Sequence, residues 1–186
     1  MAVRLLQGAI TVDLYHRLGE LGIFHEDDRV ELLDGQIVEM TPIGDRHSAC
    51  VIRLSNLLAR RVPEDVAVSS QGPIVLAERW EPQPDIVLLR RAEGFGGAWL
   101  PRPGDVVLLI EVADTSLERD WEVKFPRYAA AAIPEAWLVD LEADTITICR
   151  DPGPEGYRDV STVSRGDTLQ PENLPGTTIT ADEVLG

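Results

Sequence analysis

The chain has 186 residues, 44% hydrophobic and 26% charged, a make-up that fits one globular domain. No apolar stretch approaches the ~20 residues a membrane span needs, so no membrane partner is expected. Its 17 Lys and Arg against 32 Asp and Glu leave a net charge of −15, which excludes nucleic-acid binding through a general basic field and leaves only local cationic stripes or a bridging metal.

Met1 to Leu6 carries one Arg and too short an apolar run for a secretory signal. Cys50 and Cys149 lie in apolar patterns and read as two buried, reduced thiols, so a cytoplasmic location is expected. The first element is a short helix through Glu20, with Thr11 as N-cap and Val12, Leu14, Tyr15 and Leu18 on its apolar side. Val30 to Met40 reads as a β-hairpin, because Asp34-Gly35 is the preferred two-residue turn between alternating strands. That turn pairs Leu33 with Gln36, Leu32 with Ile37 and Glu31 with Val38. Gly44-Asp45 then opens a longer helix to about Val62, with Val51, Leu54, Leu58 and Val62 at helical spacing.

Short strands are expected at Val66 to Ser70 and at Pro73 to Ala77. Two mirrored apolar runs follow, from Pro84-Asp85 to Leu89 and from Val106 to Glu111-Val112. Both are rich in branched aliphatics and too short for independent helices, so they read as buried strands. Between them, Gly94, Gly96, Gly97, Pro101, Pro103 and Gly104 give loop chemistry. A helix is expected from about Leu117 to Ala132, stopped by Pro134. Ala136 to Leu141 reads as a further central strand with Asp144 to Arg150 as its hairpin partner, and weaker short strands and a terminal turn follow Asp151. This order predicts an α/β fold, a central mixed β-sheet flanked by helices. A single domain spans residues 1–186: an N-terminal helix and hairpin, a core of roughly 30–141, and a C-terminal β-rich extension.

An antiparallel pairing of the mirrored runs with Arg90 opposite Val106 sets Asp85 directly across from Glu111 on one sheet face. Facing Cβ atoms are ~5 Å apart, where like charges destabilise. At an effective dielectric of about 20 the repulsion is on the order of 3 kcal/mol. A raised pKa, a neighbouring cation or a bound divalent metal relieves it, and hard cations such as Mg²⁺ favour carboxylates and water. A one-residue slip in register would part the two acids.

Glu31 is a third strand acid, an edge charge unless packing brings it to the other two. Asp120, Lys124 and Tyr128 recur along one side of the expected helix. Lys124 is then either half of a surface ion pair or a cation aimed at the carboxylates, where it meets developing phosphoryl charge. His47, near the start of the second helix, caps or packs there, or contacts phosphate. Arg46, Arg53 and Arg60 recur at seven-residue spacing, as a solvated helix face or a nucleic-acid stripe. The Gly94-x-Gly96-Gly97 stretch lacks the strand-to-helix setting of a phosphate-binding loop. Trp99 stacks on a base or packs against protein.

An acid after proline at a strand, an acid in the next strand and a downstream lysine, here Pro84-Asp85, Glu111 and Lys124, resemble the PD-(D/E)XK nuclease superfamily. More narrowly, the chain is similar to the Uma-type bacterial family of restriction-endonuclease-like proteins. The matching pieces are Glu31-Leu32-Leu33-Asp34-Gly35, Arg46-His47-Ser48, Gln83-Pro84-Asp85-Ile86, Ile110-Glu111-Val112, Asp120-x-x-x-Lys124 and Ile133-Pro134-Glu135-Ala136-Trp137-Leu138-Val139-Asp140, and their order and spacing carry the resemblance. It implies a restriction-endonuclease-like core and Mg²⁺ (Mn²⁺ as a substitute) on Asp85, Glu111 and the Val112 carbonyl, with Glu31 as an additional carboxylate. Catalysis would rest on Asp85, Glu111 and Lys124, and DNA contacts on Arg46, His47, Arg53, Arg60 and Gln83. The position two after Glu111 is Ala113 where the superfamily motif has lysine, so the resemblance makes Lys124 the substitute.

Three readings follow. One is a Mg²⁺-dependent endonuclease, a homodimer by analogy with enzymes that cut two strands. Another is a non-catalytic binding or assembly module on the same fold, which the net charge and Ala113 favour. A hydrolase of small phosphate esters is a third.

Overall fold

The computed structural model describes residues 9–24, 28–40, 44–91 and 99–186. The expectations for Met1 to Leu6 and for Gly94-x-Gly96-Gly97 fall outside these residues. Helix α1 (Val12–Glu20) starts where Thr11 turns extended and its hydroxyl accepts the Leu14 N–H at 3.3 Å. Strands β1 (Val30–Leu33) and β2 (Gln36–Glu39) form the expected hairpin in the expected register. Asp34 and Gly35 both take positive φ, 49° and 74°, as the tight turn between right-twisted strands requires. Helix α2 (Asp45–Ala59) ends short of Val62, its last turn closing on the Leu57 and Leu58 carbonyls ahead of Pro63.

The central sheet has six strands in the order β3 (Val66–Ser70), β4 (Ile86–Arg90), β5 (Val106–Ala113), β6 (Glu135–Asp140), β7 (Thr145–Gly153) and β8 (Gly156–Ser164). Only β5 and β6 run parallel, so the sheet is mixed as expected. The strand expected at Pro73 to Ala77 does not form. Pro73 brings no N–H, and the segment turns back through an isolated Ala77–Trp80 bridge without joining a ladder. β8 is a nine-residue, mostly exposed strand at one edge of the sheet, longer than the weak pieces expected there. Strands β9 (Thr168–Leu169) and β10 (Ile179–Thr180) pair separately, and the terminal turn is a short helix, α5 (Ala181–Leu185), with a Thr180–Glu183 capping box.

The β5-to-β6 crossover departs most from expectation. In place of one continuous helix it runs through α3 (Leu117–Arg119), a π-helical turn over Asp120–Lys124, and α4 (Phe125–Ala130). Pro126 cannot donate to the Glu122 carbonyl, and the ladder widens just before it, with the Phe125 N–H reaching back to Asp120.

Side chains alternate across the sheet into two cores. Leu108, Ile110, Val112, Ile86, Leu88 and Trp137 pack with Leu54 and Leu58 of α2 on one face. Val87, Leu89, Leu109, Ala113 and Leu138 pack with Phe125 and Tyr128 of α4 on the other. The alternation breaks once, where Val107 and Leu108 both enter the α2-side core. That is a β-bulge, and it corrects the expected anchor: Leu89, not Arg90, faces Val106. Beyond the bulge Leu88 faces Leu108 and Ile86 faces Ile110, where the ladder ends; Asp85, one residue before β4, meets β5 through the Val112 N–H and not as a ladder partner of Glu111. Cys50 and Cys149 are buried in opposite cores and form no disulfide. Among the described residues no helix is long and apolar enough to cross a membrane.

Candidate active site

Four carboxylates gather where the N-terminal end of β4 meets the C-terminal half of β5. Glu111 enters from β5, Asp85 from just before β4, Glu31 from β1 and Asp120 from the π-helical turn. All four are buried, between 1% and 7% exposed. They border an open cleft of about 140 Å³ together with Gly44 and His47 of the α2 N-terminus, Arg29, Gln83, Asp114 and Arg119.

Lys124 is the hub. Its ammonium lies 3.2 Å from Glu31 Oε2, 3.3 Å from Glu111 Oε1 and 3.7 Å from Asp120 Oδ1. An ammonium has three N–H donors, and here three carboxylates surround it. Burial works to lower the Lys124 pKa, but Glu111, Glu31 and Asp120 outweigh it and hold the group charged, above its ordinary range. The π-helical turn sets Asp120 and Lys124 on one buried side, and Tyr128 continues that side from α4.

Glu111 is deeply buried, and that burial raises its carboxyl to about 8. Lys124 and the Tyr128 hydrogen bond pull the other way, while Asp120 and Asp85 add to the rise. Tyr128 donates to Glu111 Oε1 at 2.5 Å, and Lys124 meets the same oxygen. Every described donor to Glu111 thus falls on Oε1, leaving Oε2. Asp120 is raised as well, chiefly by burial, although Ser116 donates to its Oδ2 at 2.6 Å.

Asp85 accepts the Val112 N–H at 2.9 Å through Oδ2, and His47 Nε2 lies 3.0 Å from Oδ1. The hydrogen bond to Asp85 raises the His47 pKa and outweighs burial, which lowers it. The other ring nitrogen of His47 is buried without a hydrogen-bond partner. In a strand the N–H and C=O of one residue point to the same side, so the Val112 carbonyl faces Asp85 too.

Glu31 meets Arg119 at 2.8 Å through Oε1 and takes the Gln83 N–H at 3.3 Å through Oε2. The Gln83 side chain donates to the Val30 carbonyl at 3.0 Å. The arginines expected as a stripe are partly engaged within the fold. Arg46 bonds Asp114 and the Leu141 carbonyl, Arg53 bonds the Val184 carbonyl, and Arg60 is exposed. Trp99 packs partly buried against the α4-side core. The sequence reading missed Arg119 altogether. It also gave Asp120 and Tyr128 no role, although their spacing with Lys124 was the available signal.

The donor set suits a hard divalent cation. Mg²⁺ takes one or two carboxylates, carbonyl oxygen and waters in place of an all-protein cage. Asp85, Glu111 Oε2 and the Val112 carbonyl match that chemistry, although among the described residues no three His, Cys, Asp or Glu side chains converge as a ready-made metal cage.

A family model described as "Uma2: Putative restriction endonuclease" matches residues 12–182. Among solved structures, a "putative nuclease belonging to DUF820" from Anabaena variabilis superposes with a TM-score of 0.76 at 16% identity, covering 95% of this chain and 97% of that one. That likeness shows a shared fold. No curated protein matches the chain.

Proposed function

The chain belongs to the Uma2 restriction-endonuclease-like family, and from that premise we propose that it is a Mg²⁺-dependent endonuclease hydrolysing phosphodiester bonds in DNA. One observation carries the reading: Asp85, just before β4, and Glu111 of the adjoining β5 share a cleft with a buried lysine 3.3 Å from Glu111. Asp85, Glu111 and the Val112 carbonyl would hold the metal. Once bound, Mg²⁺ (or Mn²⁺) supplies Lewis acidity toward a phosphoryl oxygen and acidifies a water.

The protein's own groups do the rest. Tyr128 and Lys124 clamp Glu111 Oε1, which directs Oε2 to the cleft. Lys124 meets the attacking water and the negative charge that builds on the phosphoryl oxygens. Water attacks phosphorus, the P–O bond to the leaving sugar oxygen breaks, and a phosphate monoester and a hydroxyl result. The N-terminus of α2 borders the cleft and favours the approach of an anion, with His47 in its first turn. With a net charge of −15, DNA is held by local contacts, for which Arg46, Arg53, Arg60, Gln83 and His47 are the candidates. Cleavage of both strands calls for two sites, hence a homodimer, and buried reduced thiols suit a cytoplasmic setting.

Ala113 favours the non-catalytic module, since the short E-x-K form is missing. The lysine that reaches Glu111 from the crossover favours the enzyme. Calorimetric Mn²⁺ titration combined with a panel of linear, nicked, supercoiled and single-stranded DNA separates the two. We expect saturable Mn²⁺ binding and cleavage in the parent, both lost in Asp85→Asn and Glu111→Gln. Parent protein that cuts no DNA form across metals and salt returns the chain to the binding-module reading.

A further inference from the structure

Glu31 is held differently from the other two strand acids. Its Oε1 is taken by the Arg119 guanidinium at 2.8 Å, and its Oε2 by the Lys124 ammonium at 3.2 Å and the Gln83 N–H at 3.3 Å. It is 1% exposed. A cation reaching either oxygen would sit beside two fixed positive charges, and like charges in a buried setting repel strongly. Asp85 and Glu111 differ: Asp85 is met by a backbone N–H and His47, and Glu111 by Lys124 and Tyr128 on a single oxygen. Glu31 also holds the Lys124 ammonium from β1, while Glu111 holds it from β5.

We propose that Glu31 is a positioning residue for Lys124, seated by Arg119 and Gln83, and that it does not ligate the metal. This deepens the nuclease reading and rests on it. Glu31 fixes the ammonium between two strands, so the lysine works from a set point although it stands on a π-helical turn instead of following Glu111 in the strand. Arg119, partly exposed at the cleft rim, balances part of the charge of Glu31.

The test compares Glu31→Gln, Asp85→Asn, Lys124→Ala and the double variant Glu31→Gln/Lys124→Ala in the full chain. Mn²⁺ affinity is read from the electron paramagnetic resonance of free Mn²⁺, and cleavage is resolved into kcat and KM. Glu31→Gln is expected to bind Mn²⁺ within about twofold of the parent and to lose at least about tenfold in kcat with KM little changed. The double variant is expected to cut no more slowly than Lys124→Ala, the non-additivity of residues acting as one unit. Mn²⁺ affinity weakened tenfold or more in Glu31→Gln, to the level of Asp85→Asn, overturns the proposal and makes Glu31 a ligand. Additive rate losses also overturn it. If Glu31→Gln does not fold, Glu31→Asp keeps the charge but withdraws it from Lys124, and the same split between unchanged affinity and lower kcat is required. A parent that binds no Mn²⁺, or an Asp85→Asn variant that binds it normally, sinks the nuclease reading and takes this inference with it.

Discussion

Replacing Lys124 with methionine keeps most of the stem volume and deletes the charge that three buried carboxylates share. Breaking a buried ion pair by removing one partner costs about 3–5 kcal/mol. A second route to the magnitude starts from protonation. Glu111 is already raised to about 8, so the next acid driven neutral is Asp120, whose pKa is raised by burial and held down by Lys124. Its ordinary value is 3.8. Keeping it neutral at pH 7 against that reference would cost at most about 4 kcal/mol, at 1.36 kcal/mol per pH unit, and the parent already bears part of this because its Asp120 is raised too. This route also fixes the sign of a pH dependence: an acid whose folded pKa is raised binds its proton more tightly in the fold, so its penalty vanishes at low pH and grows as pH rises. Lys124→Met should therefore lose about 3–5 kcal/mol at pH 7, and progressively less as pH falls through 5 toward 4, where the carboxyls are protonated in the unfolded chain as well. Urea unfolding of parent and variant at these three pH values, followed by circular dichroism, measures it. A loss under 1 kcal/mol at pH 7, or one that does not change with pH, refutes the buried, shared ammonium.

Tyr128→Phe keeps the ring among Phe125 and its neighbours but removes the donor to Glu111, and should cost about 0.5–1.5 kcal/mol in the same urea assay at pH 7. An unchanged midpoint would mean that the hydrogen bond to Glu111 is not made. Gly35→Ala places a side chain at φ 74°, where its Cβ would meet the Ala9 Cβ at 2.7 Å, and should destabilise by about 1–3 kcal/mol. If that variant melts like the parent, the turn does not adopt the positive-φ conformation. Burial raises the Cys50 thiol to about 11 and the Cys149 thiol to about 12, against an ordinary 9.0. The unfolded chain then sheds those protons first, so stability should fall from pH 9 upward, by about 1 kcal/mol per thiol at pH 10. A Cys50→Ala/Cys149→Ala variant with the same alkaline decline would assign it to other groups, among them Tyr157, whose pKa burial also raises.

Local signals were legible in the sequence wherever they were strong. Thr11 capped its helix, Asp34-Gly35 set the hairpin register, and the two apolar runs became neighbouring antiparallel strands. The expected anchor was one residue off, and the bulge at Val107 restores the expected register as far as Ile86 and Ile110, which brings Asp85 next to the Glu111–Val112 stretch. No pattern reading could find that bulge. Valine suits either core equally, and only the requirement to bury both faces of β5 decides which way Val107 turns. The side of the crossover bearing Asp120, Lys124 and Tyr128 was readable from spacing, but the π-helical turn beneath it was not, since it arises from a proline and from tertiary burial together. The contacts His47–Asp85 and Arg119–Glu31 span 38 and 88 residues of sequence, and no local period encodes either.

The charge balance of the cluster sets it apart from a matched structural ion-pair network. Structural networks of buried charges persist when partners match. Here Glu31, Asp85, Glu111 and Asp120 face Lys124 and Arg119, with His47 as a third cation only when protonated. The shortfall shows in the acids themselves, since Glu111 and Asp120 are both raised despite a lysine within 3.7 Å of each. A core selected for stability alone would gain by exchanging one of these acids for an amide or an aliphatic side chain. Keeping four buried carboxylates beside an open cleft, three of them around one ammonium, stores a demand for positive charge. A divalent cation would satisfy that demand; Glu31 alone carries a fixed cation on each oxygen, and among the other acids Asp85 and Glu111 are the ones proposed to take the metal.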